Sequence, residues 1–287
     1  MQDSDTPPVE RSAVRLPVAA GSARSMLLTV LAELVYPNRE PVWTSALLRV
    51  LAGVGIEPQT GRQAIARTAA AGWITAQKRG REVRWELTDR AVRLIEDGAA
   101  RVYSLHSDDR QWDGRWLILF VTIADAQRTA RKRLYSALSW EGFGNPTPGV
   151  WLSPHPDRES RARRVIEDLG LADSTLAFIG TASAIGLTED AIVAQAWDLS
   201  DVATRYEQLL IRYSGLKAEP GDAALYTHIR LVNEWQRFPF LDPQLPEKLV
   251  PDWIGRRAAR IFYQSRSAGY EAAQLRWREI ASDDAAV

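Results

Sequence analysis

Between Ala23 and Leu34 the apolar residues Met26, Leu27, Val30, Leu31 and Leu34 recur at three- and four-residue spacing, which predicts an amphipathic helix capped by Ser22. Tyr36 to Pro41 breaks it. A second helix follows over Thr44–Ala52, with Leu47, Leu48 and Leu51 facing inward and Gly53 and Gly55 closing it. In the next segment Gly61, Ala64, Ile65, Thr68 and Ala69 form the buried stripe of a third helix, leaving Gln59, Arg62, Gln63, Ala66 and Arg67 outside. Pro58 suits its first position, and the Glu57 carboxylate is expected to help cap it. Gly72 ends this helix. Ile74–Lys78 and Glu82–Leu87 then alternate as two strands around a turn at Arg79-Gly80-Arg81, and Thr88 or Asp89 caps a helix bearing Ala91, Leu94 and Ile95. Three helices followed by a tight hairpin is the order of a winged helix-turn-helix.

Downstream the period changes. Leu117–Ile123 is a continuous apolar run and reads as a buried strand. A helix over Ala126–Trp140 follows, with Leu134, Ala137 and Leu138 inward. Gly142–Asn145 turns, Val150–Ser153 is a short strand, Arg158–Leu169 a second helix and Thr175–Thr181 a closing strand. This alternation predicts a ferredoxin-like domain. The remainder is helical, over Asp201–Leu216, Ala223–Phe238 and Trp253–Ala268, with a proline-rich bend from Asp242 to Pro251. The fold class is therefore α+β and multidomain. The expected division is a polar arm (1–22), a winged helix-turn-helix (23–107), a ferredoxin-like domain (108–185) and a C-terminal helical domain (186–287).

Charge changes the picture locally. The chain as a whole sums to +0, yet Gln59–Arg84 holds six basic residues and one acid, a net +5. Such an excess suits a phosphate-rich partner. Arginine and glutamine on the outer face of a helix can form bidentate bonds to guanine and adenine edges. Gln59, Arg62, Gln63, Arg67, Lys78, Arg79, Arg81 and Arg84 are accordingly the candidate DNA-binding residues. Taken singly, the hairpin reads first as an ordinary solvated turn and the helix as an ordinary core helix; their order and spacing, with a helical pair upstream, favour DNA. A lone winged helix covers only a few base pairs, so two copies on an inverted repeat of operator DNA are expected, with dimerisation mainly in residues 108–287.

Composition removes other classes. There is no Cys, hence no disulfide or thiolate metal site, which fits a reducing cytoplasm. No apolar run approaches the ~20 residues of a membrane span, and the N-terminal segment lacks the apolar core of a signal peptide. No phosphate loop and no catalytic constellation is present, so no cofactor, metal or catalytic residue is expected.

Three motifs in order give a resemblance. Gly55, the Arg62 and Arg67 pair, Gly72-Trp73 and the Gly80 turn form the first. Trp112-Asp113-Gly114-x-Trp116 is the second. Asp242-Pro243-x-Leu245-Pro246 with Leu249, Pro251, Trp253 and Gly255 is the third. From about Ala23 to about Phe262 the chain resembles the PaaX-type repressors of bacterial aromatic degradation. Two departures stand out: Glu57-Pro58 replaces the usual Ser-Glu start of the recognition helix, and Asn233 stands where many members carry His. The resemblance implies a homodimeric repressor of a phenylacetate-type catabolic operon, released from its operator by an aryl-CoA thioester such as phenylacetyl-CoA. Arg128, Arg131, Lys132 and Arg133, with Arg161, Arg163 and Arg164, are candidate partners for the CoA phosphates; solvated helix faces and extra DNA contacts are the alternatives. The family's middle domain is in turn similar to a small CRISPR-adaptation nuclease with an acid at the end of its first strand. Here that position is Thr122, with Asp125 in the turn beyond. A hydroxyl does not hold a divalent cation as a carboxylate does, which argues against the leading enzymatic alternative, a metal nuclease. A winged-helix scaffold for another protein is the other alternative, and the +5 stretch argues against it.

Overall fold

The computed structural model describes residues 21–103, 105, 111–124, 127–182, 185–217 and 219–283. The expected arm lies almost wholly outside these residues, as does Asp125. The first helix, α1 (Ala23–Val30), begins at Ser22, whose hydroxyl accepts the Ser25 N–H at 3.2 Å. The helix expected to run on to Leu34 instead widens into a π-helical turn over Leu31–Val35, with the Tyr36 N–H reaching the Leu31 carbonyl at 2.8 Å. Periodicity does not reveal this turn because Leu31, Leu34 and Val35 remain buried. It also carries Glu33 into the interior, where it is 6 % exposed.

Strand β1 (Val42–Trp43) leads into α2 (Thr44–Gly53), α3 (Pro58–Ala70), β2 (Ile74–Arg79), β3 (Glu82–Leu87) and α4 (Asp89–Tyr103). The three strands form an antiparallel sheet in the order β1-β3-β2. Arg79 pairs with Glu82, so the wing turns on Gly80-Arg81, and Gly80 takes the left-handed φ of +62° that a two-residue turn favours. Thr88 caps α4 by accepting the Ala91 N–H at 3.2 Å. Glu57 occupies the cap position of α3 but makes no capping hydrogen bond with its side chain. The short side chains of Ser, Asp and Asn reach the free amides from that position, whereas Glu is a methylene longer and contributes only through its charge.

The second sheet runs β5-β6-β4-β7, all antiparallel, from β4 (Arg115–Val121), β5 (Gly144–Thr147), β6 (Val150–Ser153) and β7 (Thr175–Thr181). With α5 (Arg128–Trp140) and α6 (Glu159–Asp168) on one face, this is the ferredoxin-like arrangement. Leu117, Leu119, Val121, Trp151, Leu134, Leu138, Ala162 and Ile166 fill the layer between sheet and helices. Part of the expected turn at Gly142–Asn145 is strand β5. Gly, Asn and Pro are poor strand formers, and the segment is tolerated at the sheet edge with an irregular register. On the other face Phe120, Leu176 and Phe178 are exposed, and among the described residues no strand pairs with the outer edge of β7.

The last part is α7 (Glu189–Ala196), which has no clear periodicity in sequence, then α8 (Ser200–Tyr213), α9 (Asp222–Trp235), α10 (Phe238–Leu241) and α11 (Ile254–Asp283). Helix α11 runs 30 residues, well past its expected end at Ala268. Its far half turns back on the winged helix. Ala273, Trp277 and Ile280, with Leu225 and Ile229 of α9, share one core with Leu27, Leu31, Leu47, Leu51 and Ile65.

Candidate nucleic-acid interface

Helix α3 packs tightly because its inner face is small: a Cβ on Gly61 would lie 2.9 Å from Leu48 Cδ2 of α2. Gly61, Ala64, Ile65 and Thr68 are buried, and Gln59, Arg62, Gln63 and Arg67 emerge on the opposite face. Lys78, Arg79 and Arg81 are exposed on the wing. Among the described residues none of Arg62, Arg67, Lys78, Arg79 and Arg81 forms an ion pair. The seven side chains therefore face solvent from one helix and one hairpin. Arg84 differs. It is half-buried, stacks 4.8 Å over Trp43 and donates to the Pro41 carbonyl at 3.0 Å, which pins β3 to the chain entering α2. Thr44 reinforces this join, donating to the Val83 carbonyl at 3.0 Å and accepting the Trp85 indole N–H at 2.9 Å.

Behind this face the C-terminal helices hold the motif from the rear. Asn233 of α9 is buried, accepts the Gly21 N–H at 3.1 Å and donates to the hydroxyls of Ser25 and Thr29 at 2.7 and 2.9 Å. Asn233, noted above as a departure from the family pattern, is thus a fully bonded clamp on α1. The Tyr226 ring lies so close over Gly53 that any Cβ there would overlap it, and Arg230 donates to the Gly53 carbonyl at 2.9 Å. Glu33 collects donors from three directions. His228 Nε2 approaches at 2.9 Å, the Tyr103 hydroxyl at 2.6 Å and Arg266 Nε at 3.1 Å, while Gln274 donates to its backbone carbonyl at 2.6 Å. Burial works against its charge, but the bond with His228, the charge of Arg266 and the Tyr103 hydroxyl together hold the carboxyl below its ordinary range. Nothing in the local sequence signals this cluster, because its members are contributed by π-turn, α4, α9 and α11.

The proline-rich bend has a similar hub. Asp242 accepts Tyr206 Oη and Trp253 Nε1, each at 2.8 Å, and the Gln244 N–H at 2.7 Å, which explains the pairing of an Asp-Pro motif with a downstream Trp. His155 Nε2 donates to the Gln244 carbonyl at 2.7 Å and ties the bend to the ferredoxin-like sheet.

The basic residues of α5 only partly converge. Arg128, Arg131 and Lys132 surround Tyr135 in a shallow depression, and Arg131 donates to the Ile123 carbonyl at 3.3 Å; Arg133 lies outside it. On α6, Arg163 pairs with Glu159 at 2.7 Å and Arg164 is exposed, whereas Arg161 points to a cleft at the far end of α5. Thr122 follows β4, exposed, with its N–H on the Ser174 carbonyl at 2.9 Å.

Three family descriptions match the chain in order: "PaaX-like protein" over residues 22–91, "PaaX protein central Cas2-like domain" over 109–193 and "PaaX-like protein C-terminal domain" over 197–279. The chain belongs to the PaaX-like family. Among similar proteins, the transcriptional repressor PaaX of Escherichia coli (strain K12) is 24% identical over 252 residues, covering 84% of this chain and 78% of the repressor. An uncharacterized protein from Mycobacterium tuberculosis shares the fold with a TM-score of 0.61 at 23% identity, over 89% of this chain and 98% of that one. This PaaX-like chain is thus a three-part α+β protein whose Cas2-like centre is the ferredoxin-like sheet described above. Among its described residues no helix is long and apolar enough to cross a membrane.

Proposed function

We propose that this chain is a homodimeric, DNA-binding transcriptional repressor of a phenylacetate-type catabolic operon, released from its operator by an aryl-CoA thioester such as phenylacetyl-CoA. One observation carries the DNA-binding part: Gln59, Arg62, Gln63 and Arg67 on α3 and Lys78, Arg79 and Arg81 on the hairpin that follows are all exposed, and the five basic residues among them have no ion-pair partner among the described residues. Gln59, Arg62 and Gln63 supply base contacts, and Arg67 and the wing residues phosphate contacts. Arg84 serves by fixing the wing. The similarity to the Escherichia coli repressor supports the direction of regulation.

Two copies on an inverted repeat need a dimer contact. The open edge of β7 and its apolar face, where Phe120 and Phe178 meet edge-on at 6.0 Å beside Leu176, suit a second copy. The reading is non-enzymatic. Thr122, at the position where a metal nuclease needs a carboxylate, offers only a hydroxyl. Arg128, Arg131, Lys132 and Arg133 are retained as candidate contacts for the anionic part of the effector.

Gel retardation of the chain's own promoter fragment, titrated with a panel of acyl- and aryl-CoA thioesters, tests the proposal. Retardation reversed by phenylacetyl-CoA at concentrations where short acyl-CoAs leave it intact is the expected result. Absence of a specific shift sinks the repressor reading; a shift indifferent to every thioester sinks the effector.

A further inference from the structure

We propose that the cleft between the C-terminal end of α5, helices α6 and α7 and the bend after α10 binds a phosphate-bearing small molecule, with its anionic group among Arg101, Arg158 and Arg161. The cleft has a volume of about 220 Å³ and is walled by all three parts of the chain. Arg101 comes from α4, Arg161 from α6 and Arg158 from the turn before α6. Two of the three guanidiniums are held in place, and the third is loosely engaged. Arg158, 8 % exposed, donates to the Glu141 carbonyl at 2.8 Å and occupies space that exists only because Gly142 lacks a Cβ. Arg101 stacks 4.3 Å over Phe240, whose ring in turn stacks on Trp140 at 4.6 Å. Arg161 Nη1 stands 3.6 Å from Glu141 Oε2, too long for a tight charge-assisted bond.

The acids of the lining favour this reading. Asp242 accepts bonds from Tyr206, Trp253 and Gln244, and Asp198 accepts the amide and hydroxyl of Ser200. Asp157 acts on Arg158 from outside the lining, and Glu141, the lining carboxylate nearest Arg161, would yield Arg161 to an incoming phosphate. Burial, and then the charge of Arg161, pushes the Arg158 guanidinium down to about 10, the direction expected where cations converge. Guanidinium forks match the terminal oxygens of a phosphate bidentately, and the Trp140 ring, which lines the cleft behind Phe240, is an apolar neighbour for whatever the phosphate carries. A recess of this size does not admit a duplex backbone, which sets a small ligand above DNA.

The position also suggests an output. Arg101 sits on the helix that begins directly after the wing and whose Tyr103 bonds to Glu33. A ligand engaging Arg101 therefore acts on an element joined to the DNA-binding face. This half rests on the ligand-released repressor proposed above; the binding half does not.

Calorimetric titration of the full chain with inorganic pyrophosphate, coenzyme A and phenylacetyl-CoA tests the cleft in the wild type and in Arg158→Met, Arg161→Met and, as a surface control, Arg163→Met. The Arg161 side chain is 44 % exposed, so its variant keeps the fold even if Arg158→Met does not. The expected result is binding of at least one probe, weakened at least tenfold by Arg161→Met and unchanged by Arg163→Met. Binding of none of the probes, or equal binding by wild type and Arg161→Met, overturns the cleft. So does Arg161→Met weakening operator binding without ligand while leaving the probes untouched, since the arginine would then serve DNA. If coenzyme A binding depends on Arg161 but phenylacetyl-CoA does not release the operator, the cleft stands and the effector reading falls. Release by phenylacetyl-CoA that ignores Arg161→Met does the reverse.

Discussion

His228 Nε2 lies 2.9 Å from Glu33 Oε2 across 195 residues of sequence, both side chains almost fully buried, and this bond joins the first helical segment of the winged helix to α9. Arg266 and Tyr103 complete the set, so the carboxylate has a donor from each packed element. Removing the carboxylate leaves the half-buried Arg266 guanidinium, the half-buried Tyr103 hydroxyl and the buried His228 without their acceptor. Glu33→Ala should therefore cost about 1–3 kcal/mol of stability, and Glu33→Gln less because the amide oxygen still accepts. Urea denaturation of the two variants checks the order; equal midpoints for Glu33→Ala and wild type would show that the cluster does not hold the parts together.

On the recognition helix, Arg62→Ala or Gln63→Ala should lower operator affinity by about 1–3 kcal/mol and random-sequence affinity less. Fluorescence anisotropy with both DNAs measures the difference. Equal losses on the two would assign the residues to phosphates. Arg67, near the end of α3, is expected to contact the backbone only.

For the wing, replacing Arg79 and Arg81 with Ala should weaken binding to every sequence and flatten the logarithmic salt dependence by about one unit per lost phosphate contact. An unchanged slope would mean that the hairpin points away from DNA.

The dimer contact is tested at Phe178, 55 % exposed on the sheet face. Phe178→Lys, or Leu176→Lys beside it, should shift the sedimentation equilibrium towards monomer while leaving the melting temperature nearly unchanged, since neither exposed side chain supports the core. A variant that remains as dimeric as the wild type moves the contact elsewhere.

Acid should loosen the bend. Burial, with the nearby charge of Arg158, holds His155 down to about 4, against the pull of its bond to the Gln244 carbonyl. Its folded value lies below the ordinary 6.5, so the unfolded chain takes up the proton first. The associated stability is complete above about 6.5 and is lost as pH falls towards about 4, which amounts to roughly 2 kcal/mol by pH 5. Glu33, also depressed, adds a loss of the same sign at lower pH. Unfolding free energies at pH 7.5 and 5 should differ less in His155→Asn than in the wild type; identical differences would remove His155 as the cause.

What the amino-acid pattern revealed was local. Gly61, Ala64, Ile65 and Thr68 on one side of α3 and arginines on the other state its orientation without any tertiary information, and Gly80 between two alternating runs states the wing. The ferredoxin-like order was readable in the same way, except for β5, whose Gly-Asn-Pro composition resembles a turn. Long-range polar contacts were not readable. Glu33 interrupts an apolar stripe as an exposed residue would, and its partners lie up to 241 residues away. The pattern predicts an end at Ala268, just before Gly269; glycine weakens a helix, yet packing against the winged helix carries α11 on to Asp283. Arg161 was recognisable as a possible anion contact, but Arg101 and Arg158 join it only once three separate segments meet.

Because Trp277 and Ile280 of α11 close the hydrophobic core that Leu27 and Leu31 open, the recognition helix is synthesised early and completed late. A ribosome exposes α3 long before it has made the residues that cover its supporting core, and contacts of such sequence separation form slowly. On the DNA-binding reading proposed above, competence to read DNA requires the chain through Ile280. A nonsense mutation or a protease cut near the C-terminus should silence the molecule altogether, and leave no half-active fragment competing for the same sites.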